Sequence, residues 1–91
     1  MWYVYVLWSK QNRKLYTGCT NDLKKRVILH NSGKVLATKL CRPLMLIHYE
    51  AFLNKYDAYL REKWLKTGWG RRHLRKTLAN TLKNLGGASS A

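Results

Sequence analysis

The sequence predicts a small α/β fold in which helices cover a three-stranded antiparallel sheet. A length of 91 residues suits a single domain, and a hydrophobic fraction of 46% is enough for a folded core. Short runs rich in β-branched and aromatic residues are separated by segments with helix-capping residues or helical apolar spacing. The predicted order is β-β-α-β-α-α, and two packed layers are the natural way to bury the apolar faces of these elements.

The first two strands are predicted to form a hairpin. Residues 2–8, WYVYVLW, are β-branched, aromatic or apolar throughout, which favours a buried strand. The polar run SKQNRK separates them from LYTGC, residues 15–19, as in an antiparallel hairpin with a loop of several residues. Pairing of these strands would bring Tyr3 or Tyr5 close to Tyr16.

A helix over residues 22–32 follows the hairpin. Asn21 is expected to cap it, Asp22 suits its positively polarised N-terminus, and Gly33 stands where a left-handed C-terminal cap belongs. The next segment, residues 34–43, is expected to be a loop because it ends in the only proline of the chain.

The second half of the chain is predicted to contain one strand and two helices. The strand is LMLIHYEAF, residues 44–52. Asn54 and Asp57 resemble a capping box that begins a helix, and Gly68 is expected to end it. After a short Gly-Trp-Gly break, leucines recur at helical spacing over about residues 71–85.

Charge is the strongest compositional signal. The chain has 18 Lys and Arg against 4 Asp and Glu, a formal net charge of +14. Such an excess destabilises a compact state by self-repulsion, so it indicates a polyanionic partner, and nucleic acid is favoured over a membrane. The apolar N-terminus, MWYVYVLW, is too short to cross a bilayer and lacks the features of a signal peptide, so we expect a soluble, cytoplasmic protein.

Domain organisation and cysteine content are simple. We expect one domain over residues 1–85 and a flexible tail over residues 86–91, GGASSA. Cys19 and Cys41 have no metal-type spacing and no disulfide pattern around them. Both are therefore interpreted as small buried hydrophobic residues.

The first helix carries the most informative cluster of side chains. Arg26 and His30 are four residues apart and project from one edge of that helix. Tyr16, together with Tyr3 or Tyr5, can converge on the same edge, since the turn at Gly18 brings the helix close to the hairpin. Phenol, guanidinium and imidazole groups would suit a phosphodiester. The alternative is an ordinary solvated basic edge.

Glu62 has two interpretations that the residues alone support equally. It lies in the middle of the second predicted helix on the face of Ala58 and Leu65. If that face packs on the sheet, the carboxylate is buried and needs a cation. Otherwise it is a solvated group paired with Lys66 at i, i+4, worth only a few tenths of a kcal/mol.

Taken together, these motifs resemble the GIY-YIG nuclease superfamily, most closely its short single-domain bacterial and archaeal members. The resemblance covers about residues 2–75 and depends on the order of the motifs as well as on each one. Its main parts are YVY at 3–5, YTG at 16–18, Arg26 with His30, and REKWLKTGWGRR with Glu62. Further matching positions are Asn31, Ser32, Gly33, Thr38, Arg42 and Pro43.

The resemblance implies hydrolysis of DNA phosphodiester bonds with one divalent metal, Mg²⁺ or Mn²⁺. The family's two motif tyrosines correspond to Tyr5 and Tyr16, its helix arginine to Arg26 and its metal-binding glutamate to Glu62. His30 matches a histidine of many members. Tyr5 is the candidate for activating or orienting the water, with Tyr16 and His30 as hydrogen-bonding supports. Two departures are the absence of a glycine from the first motif and Cys19 in place of a lysine found in some repair nucleases.

The expected partner is DNA, with RNA not excluded, and the expected role is DNA repair or processing. Trp64 and Trp69 could stack on bases, but core packing is the expected use. A non-catalytic nucleic-acid-binding module of the same fold is the alternative, and a basic adaptor associated with ribosomes is a third hypothesis. Candidate phosphate-binding residues are Lys34, Lys39, Arg42, Arg71, Arg72, Arg75 and Lys76.

Overall fold

A computed structural model describes residues 1–86. The strands β1 (Trp2–Ser9), β2 (Leu15–Thr20) and β3 (Leu44–Phe52) form an antiparallel sheet in the order β2-β1-β3. This confirms the predicted α/β class and the three-stranded sheet. The helices are α1 (Leu23–Asn31), α2 (Lys55–Leu65), α3 (Gly68–Thr77) and α4 (Ala79–Asn84), with a 3₁₀ helix over Leu36–Cys41.

Two further sequence-based expectations concern the C-terminal tail and membrane-spanning segments. Beyond Gly86, the tail predicted for residues 86–91 lies outside the described residues. Within residues 1–86, no helix has the length and apolar character needed to span a bilayer.

The central strand β1 separates two cores because its side chains alternate between the faces of the sheet. Val4 and Val6 face α2, α3 and α4, where they pack with a cluster that includes Ala58 and Leu74. Tyr5 lies on the opposite face. It packs there with Leu7, Cys41 and Leu44, and half-buried residues of α1 close this smaller cluster.

The capping residue of α1 differs from the prediction. Asp22, and not Asn21, is the N-cap, because its side chain accepts a hydrogen bond from the backbone N–H of Lys25. Gly33 has the expected left-handed conformation, with φ of 81°. Asn31 then fixes the end of α1 to β3 through two hydrogen bonds of 2.8 Å with the backbone of Leu44.

Residues 34–43 were predicted to be a loop, but most of this segment forms the 3₁₀ helix. Thr38 and Cys41 are its buried residues. The missed element matters for the site, because it carries Thr38 into contact with α1.

The boundary between α2 and α3 was also predicted wrongly. Asn54 caps α2 as expected, but that helix ends at Leu65, and Gly68 begins α3 instead of ending α2. Thr67 caps α3 by accepting a hydrogen bond from the N–H of Gly70. The single helix predicted over residues 71–85 is divided into α3 and α4 at Leu78.

Two predictions of burial were wrong. Trp64 is 40% exposed and Trp69 is 72% exposed, so neither belongs to the core. Cys41 is buried as expected, whereas Cys19 is only half-buried in β2.

Candidate active site

A cavity of about 700 Å³ wraps around the edge strand β2. All five predicted catalytic residues line it, namely Tyr5, Tyr16, Arg26, His30 and Glu62. Tyr5 and Tyr16 belong to the core on the α1 side of the sheet, whereas Glu62 projects from α2 on the other side. The two groups therefore meet around the edge of β2, and a ligand that touches both must lie across that edge.

The hydroxyl of Tyr5 is the centre of the α1 half of the cavity. It lies 2.9 Å from Nε2 of His30 and accepts a hydrogen bond of 3.3 Å from Nε of Arg26. The residue is only 2% exposed. Tyr5 pairs with Gly18 across the hairpin, and a Cβ at Gly18 would collide with the Tyr5 hydroxyl. The glycine of the Tyr-Thr-Gly motif thus makes room for the phenol.

His30 is held at both ring nitrogens. Nε2 contacts Tyr5, and Nδ1 lies 2.7 Å from the hydroxyl of Thr38 in the 3₁₀ helix. Burial lowers the pKa of His30, and the positive charge of Arg26 lowers it further. The imidazole is therefore predominantly neutral at pH 7, so that one of its ring nitrogens donates a hydrogen bond and the other accepts one. Thr38 was part of the sequence resemblance, but no local pattern revealed this contact.

The lowered pKa of His30 predicts a loss of stability on the acid side of neutrality. The unfolded state has a histidine pKa near 6.5, and the folded state has a lower value. Between these values the unfolded chain binds more protons, so the free energy of unfolding should fall as pH falls through 6.5 and level off below the folded pKa. Urea midpoints between about pH 8 and pH 5 would measure this dependence.

His30→Gln should weaken that slope, and the matched variant His73→Gln, at an exposed position of α3, should retain it. If the free energy of unfolding of His30→Gln depended on pH as it does in the wild type, the lowered pKa of His30 would not be its cause.

Tyr16 has a different hydrogen-bonding environment from Tyr5. Its hydroxyl accepts a 2.7 Å hydrogen bond from Nδ2 of Asn12 and lies 3.1 Å from Sγ of Cys41. The contact with Cys41 raises the pKa of Tyr16, and Asn12 offsets part of that rise. The predicted support of Tyr5 by a hydrogen bond is thus formed by His30 and not by Tyr16. Sequence alone gave no sign of Asn12 or Cys41, because their contacts depend on where the 3₁₀ helix packs.

Glu62 combines the two interpretations that the sequence left open. Its side chain is only 16% exposed, yet Oε2 accepts a 2.7 Å hydrogen bond from Nζ of Lys66, whose side chain is 52% exposed. Ala58 and Leu65, on the same helix, are almost completely buried against the core. Glu62 is therefore a largely buried carboxylate at the cavity wall whose counterion is an exposed lysine.

Four of the seven candidate phosphate-binding residues lie on α3, on two sides of that helix. Arg71 and Arg75 line the cavity. Arg72 and Lys76 follow them about 100° further round the helix and face away from it. Lys34 and Lys39 are exposed on either side of residues that line the cavity.

Arg42 has a structural contact as well as an exposed position. Its guanidinium lies over Gly33, where a Cβ would meet it, and its Nε donates to the backbone carbonyl of Lys39. Glycine is favoured at position 33 mainly by its positive φ of 81°, because the Arg42 guanidinium could move aside from a Cβ.

The sequence of the chain matches a known family of catalytic domains. The model of the GIY-YIG catalytic domain matches residues 1–76, so the chain belongs to the GIY-YIG family. This confirms the family predicted from the YVY and YTG motifs, Arg26 with His30 and the segment that contains Glu62, and the three-stranded antiparallel sheet that the resemblance implied is present.

Relatives place the chain among short members of that family. A UPF0213 protein of Pediococcus acidilactici is 41% identical over 87 residues, which are 92% of this chain and 83% of that protein. A UPF0213 protein of Clostridium perfringens is 44% identical over 67 residues, 70% of this chain and 69% of the relative. No solved structure matches the chain at a significant level.

Proposed function

We propose that this protein is a divalent-metal-dependent endonuclease that hydrolyses DNA phosphodiester bonds, acting in DNA repair or processing. The observation that carries the proposal is the convergence of Tyr5, Arg26, His30 and Glu62 on one cavity in a chain of net charge +14. A binding module would need the positive charge, but it would not need a buried phenol, a neutral imidazole and a carboxylate at the same place.

The proton-transfer group of the proposed mechanism is the Tyr5–His30 pair. If Nδ1 of His30 donates to Thr38, Nε2 is the acceptor for the Tyr5 hydroxyl. The phenolic oxygen can then take a proton from an attacking water while it passes its own proton to His30. Thr38 would act as a positioning residue, because it selects the tautomer that makes this transfer possible.

Arg26 is suited to stabilise the negative charge that develops on the phosphate. Its Nε donates to Tyr5, and within residues 1–86 it forms no ion pair with a carboxylate. The remaining N–H groups can therefore bind non-bridging phosphate oxygens in a fixed geometry. Arg71 and Arg75 would bind neighbouring phosphates along the cavity wall.

Glu62 is the proposed ligand of Mg²⁺ or Mn²⁺. Within residues 1–86 no group of three or more His, Cys, Asp and Glu side chains could hold a metal, so protein ligation would be limited. One carboxylate, with water and phosphate oxygens completing the shell, is a suitable donor set for magnesium. The ion would compete with Lys66, which is exposed enough to move away. A bound metal would polarise the phosphate and stabilise the leaving oxygen.

Tyr5→Phe is expected to reduce cleavage roughly a hundredfold to ten-thousandfold, the usual contribution of a positioned acid or base. The substitution keeps the buried ring and removes only the hydroxyl that contacts His30 and Arg26. Tyr3→Phe is the matched control on the same strand. Initial rates of plasmid nicking, with thermal melting to verify folding, would measure both variants. Equal activity of Tyr5→Phe and wild type would contradict the proposed role of Tyr5.

The whole proposal is tested by incubating the protein with supercoiled plasmid, branched DNA and RNA, each with Mn²⁺ or with EDTA. We expect nicked or linear DNA only in the presence of metal. Salt-sensitive binding without cleavage under any condition would favour the non-catalytic module. Binding confined to RNA, without metal dependence, would favour the adaptor.

A further inference from the structure

Two tryptophans that no catalytic role explains are exposed, Trp64 near the end of α2 and Trp69 in the first turn of α3. Trp69 is 72% exposed and Trp64 is 40% exposed, although tryptophan is highly buried on average. They form part of an area that we call the tryptophan patch. Its residues are Arg61, Trp64, Trp69, Arg72, His73 and Lys76.

Each tryptophan has a cation over its ring. The guanidinium of Arg72 lies 5.4 Å from the ring centroid of Trp69, and that of Arg61 lies 5.2 Å from the centroid of Trp64. His73 packs edge-on against Trp64 at 5.3 Å. Residues 69, 72, 73 and 76 share one face of α3, since they follow the i, i+3, i+4, i+7 spacing of a helix.

The Trp64 side of the patch is held firmly. Arg61 donates two hydrogen bonds, of 2.9 and 3.2 Å, to the carboxylate of Glu50 on β3, and its Nη2 lies 3.2 Å from Nε2 of His73. His48 also contacts that carboxylate. Burial raises the pKa of Glu50, but the hydrogen bonds and charges of Arg61 and His48 outweigh this effect and lower it. Glu50 therefore stays ionised and fixes Arg61 in position beside Trp64.

We propose that the tryptophan patch binds unpaired bases of a nucleic-acid strand that continues from the cavity across α3. Indole rings stack on any base, and arginine beside the ring adds both a cation–π contact and a phosphate ligand. This inference rests on the proposed function only in taking the cavity as the place where the strand enters.

The basic residues of α3 are placed so that a nucleic-acid strand could pass from the cavity across the helix to the tryptophan patch. Arg71 and Arg75 lie on the cavity side of the helix, and Arg72 and Lys76 lie on the patch side. Within the described residues α3 contains no carboxylate, so a phosphate backbone can cross it with cations on both sides.

Charge also favours nucleic acid over other occupants. A second copy of this chain would bring another net charge of +14 against a cationic surface, which opposes association. An acidic protein would be bound by the cations, but it would not need exposed indole rings beside them. Bases with phosphates use both properties of the patch.

The test compares two DNA duplexes with equal numbers of phosphates, one blunt and one with a single-stranded overhang, in EDTA so that no cleavage occurs. Trp69→Ala should weaken binding of the overhang substrate roughly fivefold to a hundredfold and leave the blunt duplex nearly unchanged. Trp69→Phe should retain most of the affinity. Tyr56→Ala is the matched control, because Tyr56 is 74% exposed on α2 and lies outside the patch.

Heparin, a polyanion without bases, distinguishes stacking from charge. Its binding should be the same for Trp69→Ala and wild type. An equal loss for heparin and the overhang substrate, or no loss for either, would overturn the inference. If the wild type cleaves DNA in a metal-dependent way and Trp69→Ala binds the overhang substrate as well as the wild type does, this inference is overturned and the proposed nuclease activity is not. Overhang binding that depends on Trp69 without cleavage would overturn only the proposed nuclease activity.

Discussion

Glu62→Gln is expected to reduce strand cleavage in Mn²⁺ or Mg²⁺ to the level seen in EDTA. The chain has only 4 acidic residues, and the structure gives the others different contacts. Asp22 caps α1, Glu50 is ion-paired with Arg61, and Asp57 is exposed in the first turn of α2. None of these three lines the cavity. No other carboxylate can therefore replace Glu62 as a metal ligand there.

Binding should respond differently from cleavage in the same variant. Glutamine retains the shape of the side chain and removes one negative charge, so affinity for DNA in EDTA should be unchanged or slightly higher. Asp57→Asn is the matched control, because it removes a carboxylate from the same helix at an exposed position. Nicking rates and fluorescence anisotropy would measure the two properties separately. Full metal-dependent cleavage by Glu62→Gln would remove Glu62 from the mechanism.

Much of the fold could be predicted because its signals are local. The apolar runs of the three strands have clear ends in the sequence. The short polar segment between β1 and β2 correctly predicted an antiparallel hairpin. That hairpin brings Tyr5 beside Gly18, and α1 then places Arg26 and His30 against the same hydroxyl. The convergence of α1 with the hairpin was predicted, but the residues alone left Tyr3 and Tyr5 open, and only the family resemblance pointed to Tyr5.

The parts that could not be predicted depend on packing between distant elements. Thr38 reaches His30 only because the 3₁₀ helix packs beside α1. Trp64 and Trp69 are large apolar side chains, for which core packing is the usual expectation, but the buried faces of α2 and α3 are occupied by alanine, glycine and leucine residues instead. Hydrophobicity alone therefore assigned the large rings to the wrong side of these helices.

Glycine at the start of α3 was misread for a related reason. In sequence, Gly68 and Gly70 indicated the end of one helix and a break before the next. The structure shows that Gly70 serves close packing. It is buried against the end of α2, and a Cβ there would collide with the backbone carbonyl of Trp64 and with Cα of Leu65. These atoms belong to the main chain, so a small side-chain movement cannot relieve the collision.

Gly70→Ala is therefore expected to destabilise the domain by about 3 kcal/mol or more, the upper part of the range for overpacking. For a domain of this size the melting temperature should fall by more than about 10 °C. Gly68→Ala is the matched control two residues earlier in the same helix, where a Cβ meets nothing within 4 Å. It should be neutral or slightly stabilising, because alanine is a better helix former than glycine.

Thermal melting of the two variants would separate the two explanations of this glycine pair. If glycine were needed only to interrupt a helix, both substitutions would have similar effects. A large loss confined to Gly70→Ala would show that close contact between α2 and α3 is the requirement. Because α2 carries Glu62 and α3 carries Arg71 and Arg75, that contact also sets the spacing between the proposed metal ligand and the arginines of the cavity.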